Sequence, residues 1–151
     1  MMGLDELRRD VWTTRHTVAG FVRVHALLKQ RLNMAELPGR LAELPLGASP
    51  GTPAFRLAGA MLRLLTRLTR RSRRQPCLYR TLVLHLLARD ARMETEIAVG
   101  IAPLDNGVRD HVWLLHRGEP LGDTDQQHRS FPQLLSRHGS LIYMTTKTGA
   151  D

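Results

Sequence analysis

Apolar residues in the first part of the chain recur at helical spacing. Leu4, Leu7, Val11, Val18 and Val22 follow one another at steps of three, four and seven residues, and Leu28 and Leu32 continue the face one turn apart. That spacing predicts helix over residues 4–34. From Leu37 to Pro53 the pattern stops. Pro38, Gly39, Pro45, Gly47, Pro50, Gly51 and Pro53 crowd this stretch and predict a loop or linker. A second amphipathic helix follows, with Leu57, Met61, Leu64 and Leu68 on one face. Arg63, Arg67, Arg70 and Arg71 lie largely off that face, and the helix ends in Arg70-Arg71-Ser72-Arg73-Arg74.

From Pro76 the texture changes. Cys77 to about Arg89 reads as helix, with Leu78, Leu82, Leu86 and Ala88 offering an apolar side. Glu96 to Ala102 is a short run rich in β-branched residues, closed by Pro103, and reads as a strand. Asp105-Asn106-Gly107 signals a turn. A second strand runs from about Asp110 to Leu115, His116-Arg117-Gly118 turns the chain, and Glu119 to Asp123 returns. Ser130 to Arg137 reads as a short helix and Ser140 to Thr146 as a last strand. No internal repeat is present. A helix followed by an antiparallel meander predicts an α+β domain over residues 75–151. A helical N-terminal region over residues 1–74, with its Pro/Gly-rich linker near 37–53, precedes it.

Composition narrows this picture. At 151 residues the chain is one domain or a small domain with an appendage, and with 42% hydrophobic but 5% aromatic residues its core is largely aliphatic. No run reaches the roughly 18 uncharged apolar residues of a membrane span, and the start lacks a secretory signal. A single cysteine excludes an internal disulfide and fits a reducing cytoplasm. The net charge of +8 is almost wholly arginine, since only Lys29 and Lys147 among the 22 basic residues are lysine. Such charge is the mark of arginine-rich composition alone, or of attraction to an acidic peptide, a nucleic acid or a membrane surface. By itself it does not choose.

The chemistry centres on Cys77, placed where a helix begins. Helix-terminal amides and a nearby imidazole favour the thiolate that attacks a carbonyl. His111 follows after 34 residues and Asp123 after 12 more. This is the chain order of a papain- or transglutaminase-like cysteine site. A three-residue loop at His116-Arg117-Gly118 pairs His111 with Asp123 across the hairpin, on one face. A two-residue turn shifts the register by one and offers Thr124 instead, and Pro120 requires an edge or non-donating position. Asp125 is the rival carboxylate. Trp113 shares the face of His111 and would shelter an imidazole there. Gln75 is either an oxyanion donor or an ordinary helix-flanking residue. Arg80 is either a substrate contact or an anchor of its helix. Cys77, His111, His116 and Asp123 lack the paired spacing of a zinc site, so no metal is expected. The Arg70–Arg74 cluster has no aromatic interleaving for stacking bases, so a nucleic-acid partner is not expected either.

Cys77-Leu78-Tyr79-Arg80-Thr81-Leu82, the strand ending in Val99-Gly100-Ile101, and His111-Val112-Trp113 with its glycine turn and Asp123 together resemble one family. It is the lasso-peptide maturation proteases, the transglutaminase-like "B" proteins related to the microcin-processing enzyme. Their pattern reads Cys-Leu-x-Arg-Ser/Ala-Leu, Ile-Gly-Val and His-Ala-Trp-Val-Glu, from which Val112 and Leu115 depart. The resemblance covers Gln75 to about Asp123. It implies Cys77 as nucleophile, His111 as general base and acid, Asp123 as the group orienting His111, and no cofactor. It further implies a leader peptidase acting on a ribosomally made precursor, as the protease half of a split system. Its partners would be the precursor peptide, a small leader-binding protein and an asparagine-synthetase-like cyclase. Two other readings of the same residues stand beside this one: a transglutaminase-type acyl transferase, and a non-enzymatic basic adaptor for peptide or nucleic acid.

Overall fold

In the computed structural model, which describes residues 3–30, 36–44, 47, 49, 51–122, 133–137 and 140–143, helices come first and a sheet follows. The helices are α1 (Leu4–Lys29), α2 (Leu37–Ala42), α3 (Phe55–Leu65), α4 (Arg70–Arg74) and α5 (Pro76–Asp90). The strands are β1 (Glu96–Leu104), β2 (Gly107–His116), β3 (Glu119–Leu121), β4 (Gln133–Arg137) and β5 (Ser140–Tyr143). All described pairings are antiparallel, in the order β3-β2-β1-β4-β5. This is an α+β fold.

α5 is its axis. Pro76 occupies the first turn, where a missing N–H costs nothing. Tyr79, Leu82, Val83, Leu84, Leu86 and Leu87 are buried on all sides of the helix, against α1 and α3 on one side and β2 on the other. Phe21, Val24 and Leu27 of α1, Leu37 and Leu41 of α2, Ala58 and Leu62 of α3, and Leu114 of β2 complete one shared core. The helices of the N-terminal region therefore pack on the same apolar cluster as α5. Part of the stretch read as linker is the helix α2, which tolerates Pro38 in its first turn. The Arg89 guanidinium ties it to the end of α5 by donating to the Leu41 and Leu44 carbonyls at 2.7 and 2.6 Å.

α1 is a helix as its periodicity predicts, but a different face is buried. Thr13, Thr17, Gly20, Phe21, Val24 and Leu27 face inward, whereas Leu4, Leu7, Val11, Val18 and Val22 are exposed, Val11 by 58%. Small residues explain the choice. A Cβ on Gly20 would stand 3.0 Å from Val83 Cγ1, so α1 and α5 approach closely there. The threonine hydroxyls are satisfied: Thr17 donates to the Thr13 carbonyl, and Thr13 accepts from the Ala54 N–H at 3.1 Å. α3 also turns a face other than its apolar stripe inward, burying Ala58, Gly59 and Leu62 and leaving Leu64 64% exposed. It also ends at Leu65 and does not run into the arginine cluster. Arg70–Arg74 is a separate turn of helix, capped by the Thr69 hydroxyl, which accepts from the Ser72 N–H at 3.0 Å.

Three expectations for the sheet need correction. Pro103 does not close β1 but pairs with Val108 inside the hairpin. β1 has its β4 partner only from Ile97 to Gly100, so the proline interrupts no ladder on that side among the described residues. Gln133–Arg137 is a strand, not a helix, with Leu134 opposite Val99 and Leu135 opposite Ala98. A five-residue run with two adjacent leucines fits either state, and the vacant edge of β1 decides it. The hairpin turn has two residues, Arg117 and Gly118, both at positive φ (52° and 81°), which pairs His116 with Glu119, Leu115 with Pro120 and Leu114 with Leu121. Pro120 thus sits on an edge strand, as a proline must.

Candidate active site

Cys77 is the second residue of α5, half-buried, in the first turn where unpaired backbone N–H groups concentrate. One turn later Thr81 faces the same strand. Its buried hydroxyl donates to the Val112 carbonyl at 2.9 Å and joins helix to strand. The backbone N–H of the same residue, Val112, donates to the Cys77 sulfur, and the His111 side chain is hydrogen-bonded to it. Helix and strand meet at one peptide, with the thiol on one side and the imidazole beside it.

The electrostatics follow from those contacts. Burial pushes the Cys77 thiol up. The hydrogen bond with His111, the Val112 N–H, the charge of the His111 imidazole and the Leu78 N–H act in the opposite direction and together outweigh it, so the thiol lies below its ordinary value. The thiolate fraction near neutral pH rises accordingly.

His111 is buried, at 5% exposure, and its ring stacks on that of Trp113 with centroids 5.5 Å apart and 21° between planes. By the alternation of the strand, His111, Trp113 and Leu115 share a face, and Trp113 and Leu115 form a second apolar cluster with Ala98. Gly100 stands directly across from His111 in the register, without a side chain to crowd the ring. Three sequence segments (Cys77 with Thr81, Gly100, and His111 to Trp113) are therefore brought to one place.

The remaining expected residues fall as follows. Gln75 precedes α5 and is exposed; its side chain does not cap the helix. Arg80 is half-buried and lines a small cleft with Thr81, Val112, Trp113, Leu121 and Gly122. It makes no ion pair among the described residues, so the acidic anchor expected for it is not seen there. Asp123 and Asp125 lie outside the described residues. The counting that paired Asp123 with His111 is overturned, because the two-residue turn moves the register by one. Gly122, at φ 75°, also bends the chain directly after β3. His116 is turned away, with Nδ1 2.8 Å from the Glu94 carbonyl. Among the described residues no group of three His, Cys, Asp or Glu side chains could hold a metal ion, and no helix is long and apolar enough to cross a membrane.

Two contributors escaped the reading of the sequence. The Val112 N–H has no side-chain signature. Thr81 did have one: a hydroxyl four residues after the cysteine on a helix must lie on the same face.

A thiol and an imidazole in hydrogen-bonding contact, one at a helix start and the other on an antiparallel strand, define a cysteine–histidine site on an α+β scaffold. Residues 19–136 match the transglutaminase-like superfamily, and the chain belongs to it. That superfamily includes cysteine peptidases. No curated protein and no solved structure matches the chain. The match begins inside α1 and takes in α2, α3 and α4 together with α5.

Proposed function

We propose that this protein is a cysteine peptidase that removes the leader from a ribosomally synthesised lasso-peptide precursor before macrocyclisation. The observation that carries the chemistry is the hydrogen bond between Cys77 and the buried His111. The choice of substrate rests on the sequence resemblance between Gln75 and Asp123. In this reading the Cys77 thiolate attacks the carbonyl of the last leader residue. Backbone N–H groups at the start of α5, with Gln75 as a further donor, stabilise the oxyanion. The C–N bond breaks as His111 gives its proton to the departing core amine. His111 then takes a proton from water, the hydroxide attacks the thioester, and the leader leaves with a free carboxylate while the thiol is restored. Asp123 orients His111, Trp113 shelters it, and Arg80 contacts substrate. No cofactor enters. The work is done in the cytoplasm with a small leader-binding protein that delivers the precursor and an asparagine-synthetase-like cyclase that uses the freed amine.

The test is mass spectrometry of a lasso precursor incubated with the purified chain and its leader-binding partner. Hydrolysis at the leader–core junction is expected. Cys77→Ala and His111→Ala should each lower the rate by at least about 10³-fold without loss of fold. Wild-type turnover by Cys77→Ala would sink the proposal, and leader joined to an amine in place of water would identify an acyl transferase instead. Alkylation of the native thiol by iodoacetamide should be fast below about pH 7.5, as only an activated thiol allows.

A further inference from the structure

A cavity of about 550 Å³ opens immediately before the catalytic helix, lined by Arg70, Arg71, Arg74 and Gln75. Its walls are held from beneath. Ser72, fully buried, donates its hydroxyl to the Thr66 carbonyl at 2.9 Å and meets the Thr69 hydroxyl at 2.7 Å. This pins the turn so that its four arginines are displayed outward, all of them exposed. Three arginines elsewhere find carboxylates within the fold: Arg9 with Asp10, Arg40 with Glu43 and Arg89 with Asp90. Arg70, Arg71, Arg73 and Arg74 have no such partner among the described residues. Three guanidiniums around one cavity repel one another and are stabilised by an anion placed between them.

The position of the cavity gives it a role. Gln75 lines it and is two residues from Cys77, so their Cα atoms are at most about 7.6 Å apart, the span of about two extended peptide residues. We propose that this cavity is a substrate subsite that receives a carboxylate side chain of the peptide, within about three residues of the bond Cys77 attacks. The inference rests on Cys77 as the nucleophile. A peptide is favoured over a nucleic acid because a residue lining the cavity, Gln75, is two positions from a thiol whose chemistry requires an acyl carbonyl, which a nucleic-acid backbone lacks.

As the only cysteine, Cys77 reports on its own surroundings by alkylation. Iodoacetate carries the carboxylate, and iodoacetamide is its neutral counterpart. The ratio of their rates at Cys77, divided by the same ratio for N-acetylcysteinamide, isolates the effect of the site. At low salt this normalised ratio should exceed about 10, worth about 1.4 kcal/mol. It should fall towards 1 in an Arg70→Gln/Arg71→Gln/Arg74→Gln variant. It should change less than about twofold when Arg8, Arg15 and Arg56, in the N-terminal halves of α1 and α3, are replaced by Gln. A ratio near 1 in the native chain overturns the subsite, and so does an equal fall in the distal variant, which would assign the effect to net charge. Tetraglutamate should slow the reaction of the native thiol with iodoacetamide. A thymidine oligonucleotide that protects where tetraglutamate does not overturns the choice of peptide. The absolute iodoacetamide rate at pH 7 answers separately for the nucleophile. A rate no faster than that of N-acetylcysteinamide removes the peptidase reading, whereas the ratio reports on the arginines in either case.

Discussion

α1 and α5 are the two long helices of this protein, and they reverse what their sequences announce. α1 has the clearer apolar stripe, yet Leu4, Leu7, Val11, Val18 and Val22 on that stripe face solvent. α5 has apolar residues on every side and no clear stripe, yet it is buried along most of its length. A helix apolar all round belongs at the centre of a layered fold, and one with two usable faces takes whichever lets the backbones approach. In α1 the winning face carries Thr13, Thr17 and Gly20, which admit a close crossing that larger side chains would block. The helix that carries Cys77 in its first turn is thus the one the fold encloses.

The contrast should be largest in stability. Leu86→Ala on α5 removes a fully buried side chain and should cost about 2–5 kcal/mol. Val11→Ala on α1 should stay within about 0.5 kcal/mol. Urea midpoints at unchanged slope measure both. A comparable cost for the two would break the comparison, because it would mean that the α1 stripe is covered in solution.

Acid sharpens it next. His85, on the third turn of α5, is held to about 4 by burial and by the neighbouring Arg89, with Nδ1 2.9 Å from the Thr95 hydroxyl. The unfolded chain takes up that proton near pH 6.5, and the folded chain resists until about 4. Below pH 6.5 the unfolded state binds more protons, so stability falls as pH drops and the loss is complete below about 4. It amounts to at most about 3 kcal/mol. His85→Asn keeps a polar atom near Thr95 but has no such proton, and its urea midpoint should decline less between pH 6.5 and 4. An identical decline in both proteins would mean that other groups carry the acid sensitivity.

The sequence was most legible where a residue type has one structural use. A helix start at Pro76-Cys77, a chain reversal at Arg117-Gly118 and a strand over Ile97 to Ile101 are present as read, though the turn is shorter and the strand longer than expected. The pairing of the cysteine with the histidine was legible as chain order, and the fold makes it a contact. Burial faces were not legible, because Val11 and Val24 look alike until the partner helix is known. β4 was not legible, because pairing with β1 and not local propensity makes it a strand. The hairpin register turned on one residue. His116 joined β2, the loop shortened to two residues, and the argument tying Asp123 to His111 went with it.

The smallest expected effect lies at the joint between α5 and β2. Thr81 holds the Val112 carbonyl, and the N–H of Val112 is among the donors that keep the Cys77 thiol low. If the hydroxyl serves only packing, Thr81→Val, which keeps the shape, costs about 1 kcal/mol of stability and leaves the thiol alone. If it positions the peptide that faces the sulfur, the same change lets that donor and His111 drift, and the thiolate loses part of its stabilisation. The pH midpoint for alkylation of Cys77 by iodoacetamide should then rise, with the plateau rate at high pH unchanged. The rate at pH 7 should fall about three- to tenfold, and Thr81→Ser should restore it because the donor returns. A midpoint that stays in place while stability drops assigns Thr81 to packing alone. A midpoint that moves in Thr81→Val and returns in Thr81→Ser makes the α5–β2 joint a positioning device, through which the enclosed helix sets the reactivity of its first turn.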